Sequence, residues 1–190
     1  MHDASRSRTV CRRHSAAKRC SRRCADTAVA PLVGDPPMQG QAGLIQRIMV
    51  ICIGNICRSP MAAAALREGL RQIDAQVEIA SAGLTAVYGQ QADPLAVKLM
   101  AERGLDIGTH RAAEFLPRDG VESDLILVMT AEMCHFIEES WPLLQGRVYR
   151  LGHWGKFEVD DPRRRGERAF RVALKSIDTG VARWLECIAG

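Results

Sequence analysis

Cys52 and Arg58 are separated by five residues in the run Val50-Ile51-Cys52-Ile53-Gly54-Asn55-Ile56-Cys57-Arg58-Ser59-Pro60. A thiol and a guanidinium on one short loop form an anion trap with a nucleophile inside it. The run begins as an apolar strand and passes, at Pro60, into a helical pattern, so the loop lies at a helix N-terminus. Backbone N–H groups and the helix dipole can hold a tetrahedral oxyanion there without a metal. The planar fork of Arg58 suits two oxygens of such an anion at once, which a lysine point charge does not match. A thiol beside a cation at a helix N-terminus ionises more readily, and the thiolate is the attacking species. Taken singly, Cys52 reads as a buried strand cysteine and Arg58 as a capping arginine. Their occurrence together with Gly54, Asn55, Ser59 and Pro60 is what points to chemistry.

The elements that must position this loop follow from periodicity. Ile48–Ile53 is continuously apolar and β-branched, the pattern of a central strand covered on both faces. The helix after it places Pro60 in its first turn and buries Met61, Ala64, Ala65, Leu66, Gly69 and Leu70. A second strand is expected at Val77–Ala80, leading into Ser81-Ala82-Gly83. Asp93-Pro94 opens a helix that Gly104 closes. A short helical piece is expected over Arg111–Leu116. Leu125–Met129 is the next buried strand, and Thr130 caps a helix ending before Trp141-Pro142. Arg147–Leu151 forms the last strand. A final helix over Glu167–Cys187 repeats Phe170, Leu174, Ile177, Val181, Trp184 and Leu185 at helical spacing. Strands alternating with helices imply an α/β fold, a three-layer α/β/α arrangement around a four-stranded parallel twisted sheet. Ligands in such sheets bind beyond the carboxyl ends of the strands, where the Cys52–Ser59 loop falls.

The 190 residues, 47% of them apolar, suit one domain of ordinary size. The net charge of +4 is unevenly spread: residues 1–37 carry +5 and residues 38–190 carry −1. Residues 1–43 therefore read as a basic, disordered N-terminal extension, and residues 44–190 as the folded domain. The arginines and lysine of the extension could meet nucleic acid or an anionic surface. A merely solvated tail, or a true start at Met38 or Met49, competes with that reading. The seven cysteines are irregularly spaced, which argues against a disulfide framework and for a reducing, cytoplasmic setting. Cys11, Cys20, Cys24 and His14 match no usual zinc spacing, so no metal is expected. No apolar run is long enough to span a membrane.

With its loop just after the first strand, the chain resembles the low-molecular-weight protein tyrosine phosphatases, whose signature is Cys, five residues, Arg, then Ser or Thr. The resemblance covers about residues 47–187. It is most similar to the bacterial branch associated with capsule and exopolysaccharide production, through Ser81-Ala82-Gly83, Ala92-Asp93-Pro94, His110-Arg111-Ala112, Asp124–Met129 and Leu151-Gly152-His153-Trp154. It implies a catalytic set of Cys52 as nucleophile, Arg58 as anion clamp and Asp161, before Pro162, as general acid. By itself Asp160-Asp161-Pro162 reads as an ordinary turn, with Asp160 the weaker acid candidate. The resemblance assigns substrate binding to Ile53, Gly54, Asn55, Ile56, Cys57 and Ser59. Ser59 would donate a hydrogen bond to the thiolate, and Asn55, in a left-handed conformation, would hold the loop with Ser81 and His110 in support. For His110 a surface histidine at a helix start is the competing reading. Cys57 could form a reversible disulfide with Cys52, or be an inert core residue.

The resemblance also implies no cofactor, a phosphotyrosine protein such as a bacterial tyrosine kinase as partner, and a monomer or weak dimer. One departure concerns the slot for the substrate ring. The family places Tyr after the Asp-Pro pair, where this chain has Arg163-Arg164-Arg165; Tyr88 or Val87 could supply another wall. Arg163 and its neighbours would then favour acidic or multiply phosphorylated peptides. Two enzymes of the same fold are rivals. A protein-arginine phosphatase carries Thr where this chain has Ile56, and a thiol-dependent arsenate reductase needs a closely spaced cysteine relay that Cys134 and Cys187 do not provide. A nucleic-acid or membrane module using the basic tail is the non-enzymatic alternative.

Overall fold

The computed structural model describes residues 45–189. The basic extension, its cysteines and the boundary expected at residue 44 lie outside the described residues. The first strand, β1 (Arg47–Cys52), is buried along nearly its whole length. Helix α1 (Arg58–Gln72) follows, then β2 (Glu78–Gly83) and α2 (Pro94–Ala101). A five-residue helix α3 (Pro117–Val121), β3 (Leu125–Val128), α4 (Ala131–Ser140), β4 (Val148–Arg150) and α5 (Gly166–Ala189) complete the order.

The sheet runs β2-β1-β3-β4 with every pair parallel. From β1 the chain crosses through α1 to one side, then returns past β1 to β3 and crosses through α4 to the other. Right-handed crossovers in opposite directions put α1 and α4 on opposite faces. Helix α5 packs on α1, which gives the expected three layers. The reversal of direction falls beside β1, so the loop after β1 opens into the crevice at the carboxyl ends of the strands.

Local signals work where the sequence placed them. The Asp93 carboxylate accepts from Leu95 N at 2.9 Å and Thr130 Oγ1 from Met133 N at 3.3 Å, each capping the helix that follows. The helical piece expected over Arg111–Leu116 is absent. That segment is extended and pairs over long range: Ala112 N donates to Gln90 O, Phe115 N to Gly83 O, and Gly83 N to Ala113 O. Leu116, at φ −109° and ψ 141°, is held extended by Pro117, and the helix starts only at that proline. The second strand also runs farther than expected, to Gly83, because β1 pairs with it in register from Arg47↔Glu78 to Cys52↔Gly83. Ser81 therefore sits on a strand, not in a loop.

Candidate active site

Cys52 is the last residue of β1 and Arg58 the first of α1, so both ends of the loop are anchored in regular structure. Helix α1 begins without a side-chain cap and with no acid in its first turn, although that turn is buried. The amide N–H groups of Gly54, Ile56 and Cys57 have no hydrogen-bond partner among the described residues. Buried amides are almost always paired. An uncapped helix start with unpaired loop amides is thus a cradle shaped for an anion.

Asn55 holds the cradle in shape. Its φ of 54° is the left-handed conformation expected of it, which Asn tolerates better than most residues. That turn lets its backbone N–H donate to Cys52 Sγ at 3.2 Å. Its side chain is fully buried; Nδ2 donates to Ser59 Oγ at 2.8 Å and to Ser81 Oγ at 3.1 Å, and Oδ1 accepts from Ala113 N at 2.9 Å. Ser59 Oγ lies 3.0 Å from Cys52 Sγ. Because that oxygen already accepts from Asn55, its own hydrogen is available to the sulfur, with the Ala82 carbonyl a longer alternative at 3.4 Å. The sulfur is therefore met by two donors, an amide and a hydroxyl.

His110 braces the same turn from outside, its Nε2 lying 2.8 Å from the Asn55 carbonyl oxygen. A carbonyl only accepts, so Nε2 carries the hydrogen. Burial, reinforced by the Arg67 and Arg111 charges, holds the imidazole below its ordinary value against the opposing effect of that bond. His110 is thus a neutral donor at neutral pH. Burial, with Asp93 and Cys52 adding to it, pushes the Cys57 thiol up to about 12, so Cys57 stays protonated. A protonated thiol is a weak nucleophile toward an oxidised neighbour.

Across the mouth of the cradle, the buried Arg58 guanidinium donates to Asp161 Oδ2 at 2.6 Å and to the Val159 carbonyl at 3.1 Å. Asp161 is half exposed, and its Oδ1 accepts from Arg163 N at 3.0 Å, which fixes the turn carrying this carboxylate. Tertiary folding has thus brought together Cys52, Asn55, Arg58, Ser59, Ser81, His110 and Asp161. Ile53 is 42% exposed at the rim, and the buried Ile56 of the loop also lines a cavity of about 590 Å³ together with Arg163. Tyr88 is 86% exposed on the turn after β2, outside the hydrogen-bonded network.

Sequence reasoning missed three residues that hold the site. Val159 and Ala113 act through backbone atoms, which no side-chain motif reports. Gly83 lies under the loop: a Cβ there would stand 2.6 Å from Ile53 O and 2.8 Å from Asn55 N. Only glycine lets β2 approach the loop backbone so closely. The run Ser81-Ala82-Gly83 could have suggested it, since a glycine ending a strand often marks a close backbone approach.

The model of the family described as low molecular weight phosphotyrosine protein phosphatase matches residues 47–189. A protein of Ralstonia solanacearum named probable low molecular weight protein-tyrosine-phosphatase EpsP is 44% identical over 142 residues, spanning 75% of this chain and 95% of its own length. Among solved structures, the tyrosine phosphatase Wzb of Escherichia coli K30 in complex with sulphate is similar at a TM-score of 0.70 and 32% identity, covering 75% of this chain and 98% of its own. Vibrio vulnificus Wzb in complex with benzylphosphonate is similar at a TM-score of 0.70 and 30% identity, with the same coverage of 75% and 98%. The family pattern runs the length of the described fold, and the chain belongs to the low molecular weight phosphotyrosine protein phosphatases.

Proposed function

We propose that Cys52, Arg58 and Asp161 carry out the hydrolysis of phosphotyrosine in proteins through a phosphocysteine intermediate. The observation behind this reading is the sulfur at the foot of an amide-lined cradle, with a guanidinium and a carboxyl meeting across its mouth. The phosphoryl group sits on the loop amides and the Arg58 fork, which hold its equatorial oxygens as charge shifts in the transition state. Cys52 Sγ attacks phosphorus in line; the P–S bond forms as the P–O bond to the phenol breaks. A bound phosphoryl group competes with Asp161 for Arg58; the freed carboxylate takes up one proton from solvent and gives it to the leaving phenol oxygen as the P–O bond breaks. In the second step Asp161 takes a proton from water, the hydroxide forms a P–O bond, and the P–S bond breaks. Hydrogen bonds from Ser59 and the Asn55 amide stabilise the departing thiolate. Sulphate and benzylphosphonate, bound to relatives of this chain, are anions of the shape such a cradle takes.

The buried, apolar Ile56 beside the cradle suits an aromatic phosphoester better than a polar N-phosphorylated guanidine, which supports phosphotyrosine over phosphoarginine. The partner is a tyrosine-phosphorylated protein. By its resemblance to the exopolysaccharide-associated branch, a bacterial tyrosine kinase or an exopolysaccharide-synthesis protein in the cytoplasm is our reading of it. Among the described residues no helix is long and apolar enough to cross a membrane. The test is phosphate release, in the presence of a chelator, from phosphotyrosine, phosphoserine and phosphoarginine peptides. Wild type is expected to act on the first only and Cys52→Ser on none; an active Cys52→Ser would refute the mechanism.

A further inference from the structure

Arginines in this fold are almost all engaged. Arg47, Arg58, Arg71, Arg103, Arg118, Arg150, Arg171 and Arg183 each meet a carboxylate. Arg67, Arg111 and Arg147 each donate to a carbonyl. The exceptions cluster after Asp161: the side chains of Arg163, Arg164 and Arg165, consecutive on one turn, and of Arg168, near the start of α5, have no partner among the described residues. They begin two residues after Asp161.

The turn that carries the first three is tightly specified. Asp161 Oδ1 accepts from Arg163 N, Arg165 N donates to Pro162 O at 3.0 Å, and Arg164 takes a φ of 61°. A non-glycine residue in that conformation is uncommon. The run divides between two hollows. Arg163 and Arg164 border the cavity of about 590 Å³ shared with Ile56, Gln90, Gln91 and Asp93. Arg165 and Arg168 border a smaller hollow of about 250 Å³ with Asp160 and Asp161. In the larger cavity the one carboxylate, Asp93, is committed to capping α2. Its wall also joins the cradle directly, since Ile56 belongs to both and its carbonyl accepts from Asp93 N at 2.8 Å.

We propose that this cavity is a second anion subsite, in which Arg163 and Arg164 bind an acidic or phosphorylated side chain flanking the phosphotyrosine of the substrate. The inference rests on the phosphotyrosine reading above and adds the class of sequence that the enzyme selects. In an extended peptide each residue advances about 3.3–3.6 Å, and the shared Ile56 wall makes this cavity the neighbour that a residue close to the phosphotyrosine would meet. Arginine forks recognise carboxylates and phosphates with two parallel hydrogen bonds. The neutral Gln90 and Gln91 offer further amide donors without opposing charge.

The test compares peptides with one phosphotyrosine that differ only in neighbouring residues, which are alanine, glutamate or a second phosphotyrosine. The readout is the ratio of kcat/KM for an anion-flanked peptide to that for the alanine-flanked one. Taking this ratio within each enzyme form cancels any general loss of activity. Wild type is expected to favour both anionic peptides about tenfold at low salt, the scale of two partly exposed ion pairs. The preference should shrink toward unity at about 0.5 M salt, where the Debye length is only a few Å. Arg163→Gln/Arg164→Gln should bring it within about twofold at low salt. A preference for the doubly phosphorylated peptide alone would assign the subsite to phosphate; a preference for both, to anions generally. A wild-type ratio near one, or a ratio unchanged in the variant, would overturn the subsite while leaving the phosphotyrosine reading intact. Failure of wild type to hydrolyse any of the peptides would instead overturn that reading, and this one with it.

Discussion

Asn55→Gly and Asn55→Ala together separate what the side chain of Asn55 does from what its backbone does. Either variant removes three side-chain hydrogen bonds, to Ser59, Ser81 and the Ala113 amide. At about 1 kcal/mol each, roughly 3 kcal/mol of support leaves the loop. Glycine keeps the φ of 54° without steric cost, whereas alanine adds about 1–2 kcal/mol for a Cβ in the left-handed region. If the loss falls on the anion-binding shape, kcat/KM should drop about 100-fold in Asn55→Gly and about 1,000-fold in Asn55→Ala. Thermal unfolding should shift down by roughly 6–12 °C in the glycine variant. The assays are p-nitrophenyl phosphate hydrolysis and a thermal melt of each variant. An Asn55→Gly enzyme with wild-type kcat/KM and Tm would refute the view that this side chain holds the cradle. Equal losses in the two variants would refute the backbone contribution.

Asp161→Asn should slow a phenyl phosphate by about 100-fold or more but p-nitrophenyl phosphate much less, because the latter's leaving group needs no proton. Equal losses on the two substrates would remove Asp161 from the acid role. In Gly83→Ala, the added Cβ meets the backbone of Ile53 and Asn55, so kcat/KM should fall by more than about tenfold through a displaced loop; an unaltered rate would show that the loop yields without consequence. For His110, burial depresses the folded-state value, so around pH 6 the unfolded chain binds more protons and stability rises with pH. The penalty is absent well above the unfolded value of about 6.5 and appears as pH falls through it. Between pH 7.5 and 5.5, urea unfolding midpoints should therefore fall more for wild type than for His110→Gln, and parallel losses would contradict this.

The anion trap was legible because its chemistry is local. A thiol and a guanidinium separated by five residues, with an asparagine suited to a left-handed turn between them, sit between a strand and a helix start whose patterns are unmistakable. The caps at Asp93 and Thr130 were readable for the same reason, since each side chain bonds a backbone amide two or three residues away. The segment 111–116 was not, because its local preference loses to long-range pairing with Gln90 and Gly83 and to the proline at 117.

Sequence alone thus determined the nature of the reactive loop, the alternation of strands and helices, and the kind of anion such a loop can hold. These depend on the identity of neighbouring side chains and on periodicity. Tertiary structure alone decided which distant groups complete the site. Asp161 reaches Arg58 across more than a hundred positions, the Ala113 amide and the His110 ring secure Asn55, and Gly83 lets β2 lie against the loop. It also decided that the arginine run after Asp161 finds no partner among the described residues, because the lack of a partner is a property of packing in three dimensions and no one-dimensional pattern encodes it.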